Sequence, residues 1–321
     1  MHEIDLKDKK ILFELDFNAR QSFSDIGRTV GLSKQVVEYR VNNLIKKGII
    51  KNFYPVINTS KLGYFYCRTS LSLQGISKRE LNEMFETLRS RPEAFWIFEM
   101  QGPFDIFFGI WVKTLQEYRQ FIDEFMAKYS PYVKLKMENI ATDVIHYQHR
   151  YLLNRIETKE IHVGEATAHE ELDNLDKNIL KQLNENARIP LLDIAAKLKE
   201  NPKTISYRIK RLEKNKIIEA YRTGIDHNKL GFTYYKIFLS ISNYTMKDLR
   251  RLQEFIKNNP ATIYYVRGVS LHADVDFEMM IKDNKELFDF IKLLRDEFPK
   301  IIGSYTIAIF MDTLKVKYLP F

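Results

Sequence analysis

The chain has 321 residues, of which 45% are hydrophobic and 13% aromatic, so the composition excludes a disordered protein and allows more than one domain. The net charge of +8 points to an anionic partner such as nucleic acid. Cys67 is the one cysteine, which excludes an internal disulfide and a zinc site built from several cysteines. No apolar signal core is found near the start, and the longest near-apolar run, 106–112, is too short to cross a membrane. We therefore expect a cytoplasmic protein.

The sequence contains two copies of one unit. With a shift of 168 residues, roughly a third of positions 4–64 are identical to positions 172–232. The polar segment between the copies lacks a sustained period, which is typical of a linker. These observations predict five parts: a helix-turn-helix domain at 1–60, a sheet domain at 61–153, a linker at 154–171, a second helix-turn-helix domain at 172–228 and a second sheet domain at 229–321.

Each unit begins with a pattern for three short helices. Ser33 in the first copy and Asn201 in the second are positioned to cap the third helix, and Pro202 suits its first turn. The predicted inward stripe of the third helix is Val37, Val41, Leu44 and Ile45 in copy one, and Ile205, Ile209 and Leu212 in copy two. A short strand at 49–54 follows and is predicted to be a wing or a hinge. The layout is that of a winged helix-turn-helix.

The second part of each unit alternates strands and helices in the order βαββαβ. This order predicts a ferredoxin-like domain, so the fold class is α+β with two tandem units. In the central strands, large apolar side chains occupy both faces, as at Phe107 and Phe108 or at Met279 and Met280. A sheet with helices on one face must bury its other face. We expect the two sheet domains to pack together within one chain; the alternative pairs like copies between two chains.

The residues of the first helix-turn-helix resemble those of the Lrp/AsnC (feast/famine) family of transcription regulators. The resemblance rests on Ile26, Val30, Gly31, Leu32, Ser33, Val36, Arg40, Val41, Leu44, Gly48, Ile49 and Ile50, with Gly102 and Asp105 in the sheet domain. It implies double-stranded DNA as partner, sheet domains of the RAM type that associate with each other, and a small effector such as an amino acid near Gly102 and Asp105. The chain departs from the family in carrying two units, and in placing Lys199-Glu200-Asn201 where copy one has Gly31-Leu32-Ser33.

The outward faces of the two third helices differ in chemistry. Amides dominate the first and suit adenine edges, whereas cations dominate the second and suit phosphates or guanine. The predicted DNA contacts are Ser33, Lys34, Gln35, Tyr39, Asn42, Asn43 and Lys46 in copy one, and Lys203, Thr204, Tyr207, Lys210, Arg211 and Lys214 in copy two. The alternative interpretation of both faces is a solvated surface without a partner.

Several polar residues allow a structural and a functional interpretation. Arg40, Arg208, Arg20 and Arg188 are expected to hold helices together within their own unit, with phosphate contact as the alternative. For Gly102 and Asp105, a turn closed by a carboxylate competes with the effector site.

The motifs of nucleotide-binding, nucleophilic and metal-dependent enzymes are missing from the sequence, so no enzyme activity, cofactor or metal is predicted. His146 and His149 are expected to point to opposite faces of a strand. Two alternatives remain: a module that binds an effector or partner without DNA, and an enzyme like the tetrapyrrole decarboxylases that share such folds. The second would need a His/Arg cluster after a strand, which the sequence does not indicate.

Overall fold

The first unit follows the predicted order of elements in a computed structural model that describes residues 4–164 and 169–321. The residues at the N-caps explain why the helices begin where they do: Asp5, Ser22 and Ser33 each accept a hydrogen bond from a backbone N–H of the first turn. The elements of unit 1 are α1 (Leu6–Leu15), α2 (Phe23–Val30), α3 (Lys34–Lys46), β1 (Ile50–Ile57), β2 (Phe65–Leu73), α4 (Lys78–Ser90), β3 (Ala94–Gln101), β4 (Ile106–Val112), α5 (Leu115–Tyr129) and β5 (Val133–Tyr147).

The segment predicted as a linker contains a strand that the sequence analysis did not foresee. β6 (Glu160–Val163) pairs antiparallel with the end of β5. Residues 165–168 of the predicted linker lie outside the described part of the chain.

The second unit repeats the first. Its elements are α6 (Asn174–Glu185), α7 (Leu191–Leu198), α8 (Pro202–Lys214), β7 (Ile218–Ile225), β8 (Thr233–Ile241), α9 (Met246–Lys257), β9 (Thr262–Ser270), β10 (Val275–Ile281), α10 (Asn284–Glu297) and β11 (Ile302–Val316). The winged helix-turn-helix followed by βαββαβ is thus present twice.

The two four-stranded sheets join at both edges. β3 pairs with β11 at one seam, and β9 pairs with β5 at the other, so the order β2-β4-β3-β11-β8-β10-β9-β5 returns to β2. The eight strands therefore form a closed barrel within one chain, with helices outside. We expected the two sheet domains to pack within one chain, as they do, but the sequence did not indicate that their edges would join.

Side chains alternate between the inside of the barrel and the helices. Phe108 packs on α5, with its ring centroid 5.9 Å from that of Phe121. Its neighbour Phe107 faces inward and lies near Phe98 and Phe310. Both faces of the sheet are therefore shielded from water, which two successive large apolar side chains require.

Four charged side chains are buried inside the barrel. Arg68 of unit 1 holds both carboxylate oxygens of Asp276 in unit 2, at 2.9 and 2.7 Å. Lys236 bonds the same carboxylate and also Glu278, whose Oε1 is 2.9 Å away. Burial opposes ionisation of Asp276, but Arg68 and Lys236 outweigh it and lower the pKa of Asp276.

The two helix-turn-helix domains form one body. β1 pairs antiparallel with β7, and residues of α1 and α6 share one hydrophobic core. The predicted wing is thus a strand that joins the two domains. Throughout this article we call α1–α3 with β1, and α6–α8 with β7, the helical pair.

Arg20 and Arg188 do not act within their own units as expected. Arg20 donates hydrogen bonds from Nη1 to the carbonyl oxygens of Ala187 and Ile189, at 2.5 and 3.1 Å. Arg188 donates in return to the carbonyls of Ala19 and Gln21. Local sequence patterns could not show this exchange, because each partner lies about 170 residues away in the sequence.

Candidate nucleic-acid interface

α3 presents the predicted contact face to solvent. Ser33 Oγ accepts a hydrogen bond from the N–H of Val36, which fixes the start of the helix. Val37, Val41 and Leu44 are buried as predicted, but Ile45 is 43% exposed and does not belong to the inward stripe. The helix is therefore held by three residues and leaves a wide outer face.

The amides on this face have no partner inside the described chain. Gln35 and Asn42 are exposed and Asn43 is half-buried, and no protein group of the described residues bonds their side chains. Ser33, Lys34 and Lys46 are exposed around them, and Tyr39 is 72% exposed. The donors and acceptors of three amides are thus available for base edges.

Val36 belongs to the same surface, and the sequence analysis missed it as a contact residue. Its side chain is 39% exposed, and it directly follows Lys34 and Gln35 in the sequence. The repeat aligns Val36 with Thr204, which was included in the second set. Applying the alignment in both directions would have found it, and a methyl-bearing side chain there suits the methyl group of thymine.

α8 presents mainly cations. Asn201 Oδ1 accepts a hydrogen bond from the N–H of Lys203 at 2.8 Å, and Pro202 occupies the first turn. Lys203, Tyr207, Lys210 and Lys214 are exposed, while Thr204 is half-buried. The exposed cations leave phosphate contact by this face as a prediction.

Arg211 is placed differently from the other predicted contacts of α8. Its guanidinium forms an ion pair with the carboxylate of Asp176, which is fully buried at the start of α6. Burial raises the pKa of Asp176, and Arg211 and Arg208 reduce that increase. Arg211, whose side chain is 37% exposed, thus ties α8 to α6, and its contact with a phosphate stays a prediction.

Arg40 and Arg208 hold the third helices to the first, as the structural interpretation expected. Arg40 Nη1 lies 2.8 Å from Asp5 and 2.8 Å from Asp8 at the start of α1. Arg208 Nη1 lies 2.6 Å from Asp173 at the equivalent place. Each pair joins a contact helix to the N-terminus of a neighbouring helix, where carboxylates are favoured.

Gly102 and Asp105 lie in the turn between β3 and β4. The Asp105 carboxylate accepts a hydrogen bond from the N–H of Leu73 at 2.6 Å, which joins the turn to the end of β2. Gly102 has φ +123°, and a Cβ there would come within 3.0 Å of the Ile307 carbonyl oxygen in unit 2. These contacts give both residues a structural role; the effector site stays a prediction.

A His/Arg cluster does follow a strand, which the sequence analysis did not expect. Nδ1 of His146 lies 3.4 Å from Nη1 of Arg222. His149 lies after β5 and not within it. The cations of the cluster already have partners: Arg222 bonds Asp16, and Arg150 donates to the carbonyls of Ile156, Lys257 and Thr262. Nδ1 of His149 lies 3.7 Å from Asp16, so both histidines border the ion pair between Arg222 and Asp16. Because His149 follows the strand, the expectation of opposite strand faces does not apply to it.

The described residues contain no group of three or more His, Cys, Asp or Glu side chains that could hold a metal ion. None of the described helices combines the length and apolar character needed to span a bilayer.

Comparison with known proteins identifies the family. Residues 4–51 match the profile of a winged helix-turn-helix DNA-binding domain, and residues 172–213 match that of an AsnC-type helix-turn-helix domain. An uncharacterized HTH-type transcriptional regulator of Pyrococcus horikoshii is 35% identical over 126 residues, which cover 39% of this chain and 78% of the relative. The chain belongs to the Lrp/AsnC family of transcription regulators.

Other transcriptional regulators match in the same way. HTH-type transcriptional regulator Ptr1 of Methanocaldococcus jannaschii is 34% identical over 121 residues, covering 38% of this chain and 80% of that protein. Each relative thus aligns with little more than a third of this Lrp/AsnC protein, which carries two units.

One solved structure shares the fold of almost the whole chain. The siroheme decarboxylase NirDL superposes with a TM-score of 0.65 over 97% of this chain and 93% of its own, at 12% sequence identity. The likeness shows that the whole architecture of this Lrp/AsnC protein occurs elsewhere.

Proposed function

We propose that this Lrp/AsnC protein regulates transcription by binding double-stranded DNA through its helical pair, which acts as one rigid DNA-binding body. The supporting observation is the exposure of both third helices: unpartnered amides on α3 and lysines on α8. Amides paired with base edges supply sequence preference, and lysines on phosphates supply affinity that depends on salt.

The rigidity of the helical pair adds a geometric expectation. Because α3 and α8 belong to one body with a shared core, their spacing is fixed, so the preferred site has a fixed distance between its two halves. The two faces differ, so the halves of the site differ in sequence and the site is not a palindrome.

The experiment is to retain fragments of the source genome on the full-length protein, sequence them, and measure affinity for the enriched site by fluorescence anisotropy. Affinity should fall steeply between low and moderate salt through counterion release. The preferred site should also lose affinity when about five base pairs, half a helical turn, are inserted at its centre. Binding that is independent of salt, or absent on all fragments, contradicts the proposal.

An amino-acid effector is the finer part of the proposal. The turn at Gly102 and Asp105 lies where unit 1 meets β11 of unit 2, so a ligand there would contact both halves of the barrel. A thermal-shift screen of the common amino acids tests it, because a ligand of the folded state raises the melting temperature. No shift at millimolar concentration would leave the turn with its structural role alone.

A tetrapyrrole-converting enzyme is the second candidate, because the fold match to the siroheme decarboxylase NirDL extends over nearly the whole chain. Against it, the cations after β5 already have protein partners. Titration with an iron tetrapyrrole discriminates the two: a saturable Soret shift that is lost in a variant of this cluster favours the enzyme. An unchanged spectrum favours the regulator.

A further inference from the structure

The two halves of the barrel differ at one strand edge. In unit 1, β5 has β2 and then β6 along one edge and β9 along the other. The stretch from Val144 to His146 is therefore paired on both sides, because β6 adds four residues to the edge that β2 leaves uncovered.

The equivalent stretch of β11 has a partner on one side. β8 pairs with Ile302 to Ile309 along the first edge, and β3 pairs with Ile309 to Val316 along the second. Within the described ranges 4–164 and 169–321, no strand pairs with the first edge beyond Ile309. Unpaired N–H and C=O groups at a strand edge are a template for another strand.

The chain itself turns away from this edge. After β11, the N–H of Lys317 donates to the carbonyl of Phe95, and Tyr318 stacks on Tyr54 with ring centroids 3.9 Å apart. Leu319 is buried in the core of the helical pair. The residues that follow β11 therefore do not cover it as β6 covers β5.

A groove of about 500 Å³ runs beside the free edge. Its lining includes Lys51 and Asp226, which form an ion pair at 3.5 Å, together with Lys229, Met311, Asp312 and Thr313. Met311, Asp312 and Thr313 are exposed, so a segment entering the groove reaches the backbone of β11.

A carboxylate in the groove indicates the chemistry of its occupant. The strand registers place Arg68 opposite Asn139 and Lys236 opposite Ala308, so Asp312 is the equivalent of Asp143. Asp143 lies 3.4 Å from Nδ1 of His162 on β6. Among the described residues Asp312 has no such partner, which leaves a place for a basic side chain on the missing strand.

We propose that the free edge of β11 binds an extended peptide segment of a partner protein, which adds as an antiparallel strand and places a basic residue beside Asp312. Main-chain hydrogen bonds supply affinity in this mode, and the side chains beside them supply specificity. A second copy of this chain is a poorer occupant, because its own β6 is already paired with β5.

The surface beneath the added strand, which we call its floor, adds a second element of specificity. Ile161 of β6 packs against Val56 and Ala220. The repeat puts Gly224 and Asn52 at the equivalent positions, with the Asn52 amide close to Gly224. Asn52 Nδ2 also lies 3.5 Å from the Tyr318 hydroxyl, which narrows the space above these positions, so the partner residue there should be small or polar, where β6 has isoleucine.

The experiment uses the full-length protein and a synthetic peptide of residues 158–164, with Ile161→Ser to suit the polar floor. Hydrogen exchange should show partial protection of residues 313–316 in the free protein, and increased protection there when the peptide is added. The peptide that also carries His162→Glu should bind several-fold more weakly, because it puts a like charge beside Asp312.

A charge exchange makes the result specific. The protein variant Asp312→Lys should lose several-fold affinity for the histidine peptide and regain it for the glutamate peptide. Asp289→Lys, an exposed change on α10, is the matched control and should change neither.

Three outcomes overturn the proposal. One is full protection of 313–316 in the free protein at every concentration, and another is no protection with peptide at several millimolar. The third is protection that rises with protein concentration alone, which would make a second copy the occupant.

Discussion

Arg222 and Asp16 form a fully buried, bidentate ion pair between residues 206 positions apart. Nε and Nη2 of Arg222 lie 2.7 and 3.0 Å from the two carboxylate oxygens. Asp16 also accepts the N–H of His149 at 2.8 Å, and Arg222 donates to the carbonyl of Tyr147. The end of α1, strand β7 and the exit of β5 thus meet at one pair, which attaches the helical pair to the barrel.

Asp16→Ala should lower the free energy of unfolding by about 3–5 kcal/mol, because it leaves the Arg222 guanidinium buried without its anion. Burial alone would raise the pKa of Asp16, but Arg222 outweighs it and keeps the carboxylate ionised. Denaturant unfolding measures the loss. Asp25→Ala, which removes an exposed ion pair with Arg28, is the control and should have little effect. Equal losses from both would show that the pair does not tie the domains together.

Stability should fall as the pH drops from about 6.5 towards 4, because one buried histidine, His149, and two half-buried ones, His146 and His227, stay neutral in the folded state. Burial lowers the pKa of His146 to about 3, with Arg222 adding to it, and that of His149 and His227 to about 4. The unfolded chain takes up these protons first, so each group costs about 1.4 kcal/mol per pH unit in this window.

Unfolding free energies at several pH values check this slope. His227→Gln should reduce this slope by the amount that corresponds to about one proton taken up on unfolding. His162→Gln should not reduce the slope, since Asp143 raises the pKa of His162 and makes its contribution opposite in sign. A flat profile between these pH values would contradict the buried neutral state.

Replacing two lysines by glycine should stabilise unit 2. Lys199 and Lys216 adopt φ of 56° and 59°, where the first copy has Gly31 and Gly48 at 69° and 66°. A left-handed conformation costs a residue with a Cβ roughly 1 kcal/mol, which glycine avoids. Lys199→Gly and Lys216→Gly should therefore raise the melting temperature. Lys197→Gly, inside α7, is the control and should lower stability by roughly 0.5–1 kcal/mol.

The two faces of the helical pair should respond differently to alanine. Gln35→Ala or Asn43→Ala should cost on the order of 1–3 kcal/mol on the preferred site and little on random DNA. Lys210→Ala should weaken both kinds of DNA and reduce the salt slope by roughly one unit. Gln116→Ala and Lys285→Ala, exposed on the sheet-domain helices, are the matched controls.

Arg211→Ala separates the structural result from the prediction based on the helical wheel. Because Arg211 is paired with Asp176, its loss should reduce the salt slope less than the loss of Lys210, while lowering stability more. A slope change equal to that of Lys210→Ala would mean that Arg211 leaves Asp176 to contact a phosphate.

The repeat and the helical stripes were enough to predict the tandem fold, because both are local patterns. The packing of the two sheet domains within one chain was predictable too, since Phe107 and Phe108 require burial on two faces, but the pairing of their edge strands into a barrel was not foreseen. β6 was missed because Glu160 to Val163 are four residues, too few for a period to show among polar neighbours.

The parts that the sequence could not give depend on distant partners. The wheel placed Arg211 outward because it takes no account of Asp176 on a neighbouring helix. Asp16 follows α1 as any surface carboxylate could, and its partner Arg222 belongs to the other unit. The exchange between Arg20 and Arg188 was hidden for the same reason.

The ion network inside the barrel makes the two halves complementary in charge. Arg68 and Lys236 are equivalent, but the acids are confined to unit 2, where Asp276 and Glu278 correspond to Phe107 and Gly109. Two copies of unit 1 would bury two arginines without a carboxylate, and two copies of unit 2 would bury an excess of two negative charges. Neither half could therefore form a stable symmetric homodimer without further substitutions. Each half pairs with a different half and not with a copy of itself. Its DNA-facing surface could therefore change independently, as the amides of α3 and the lysines of α8 illustrate.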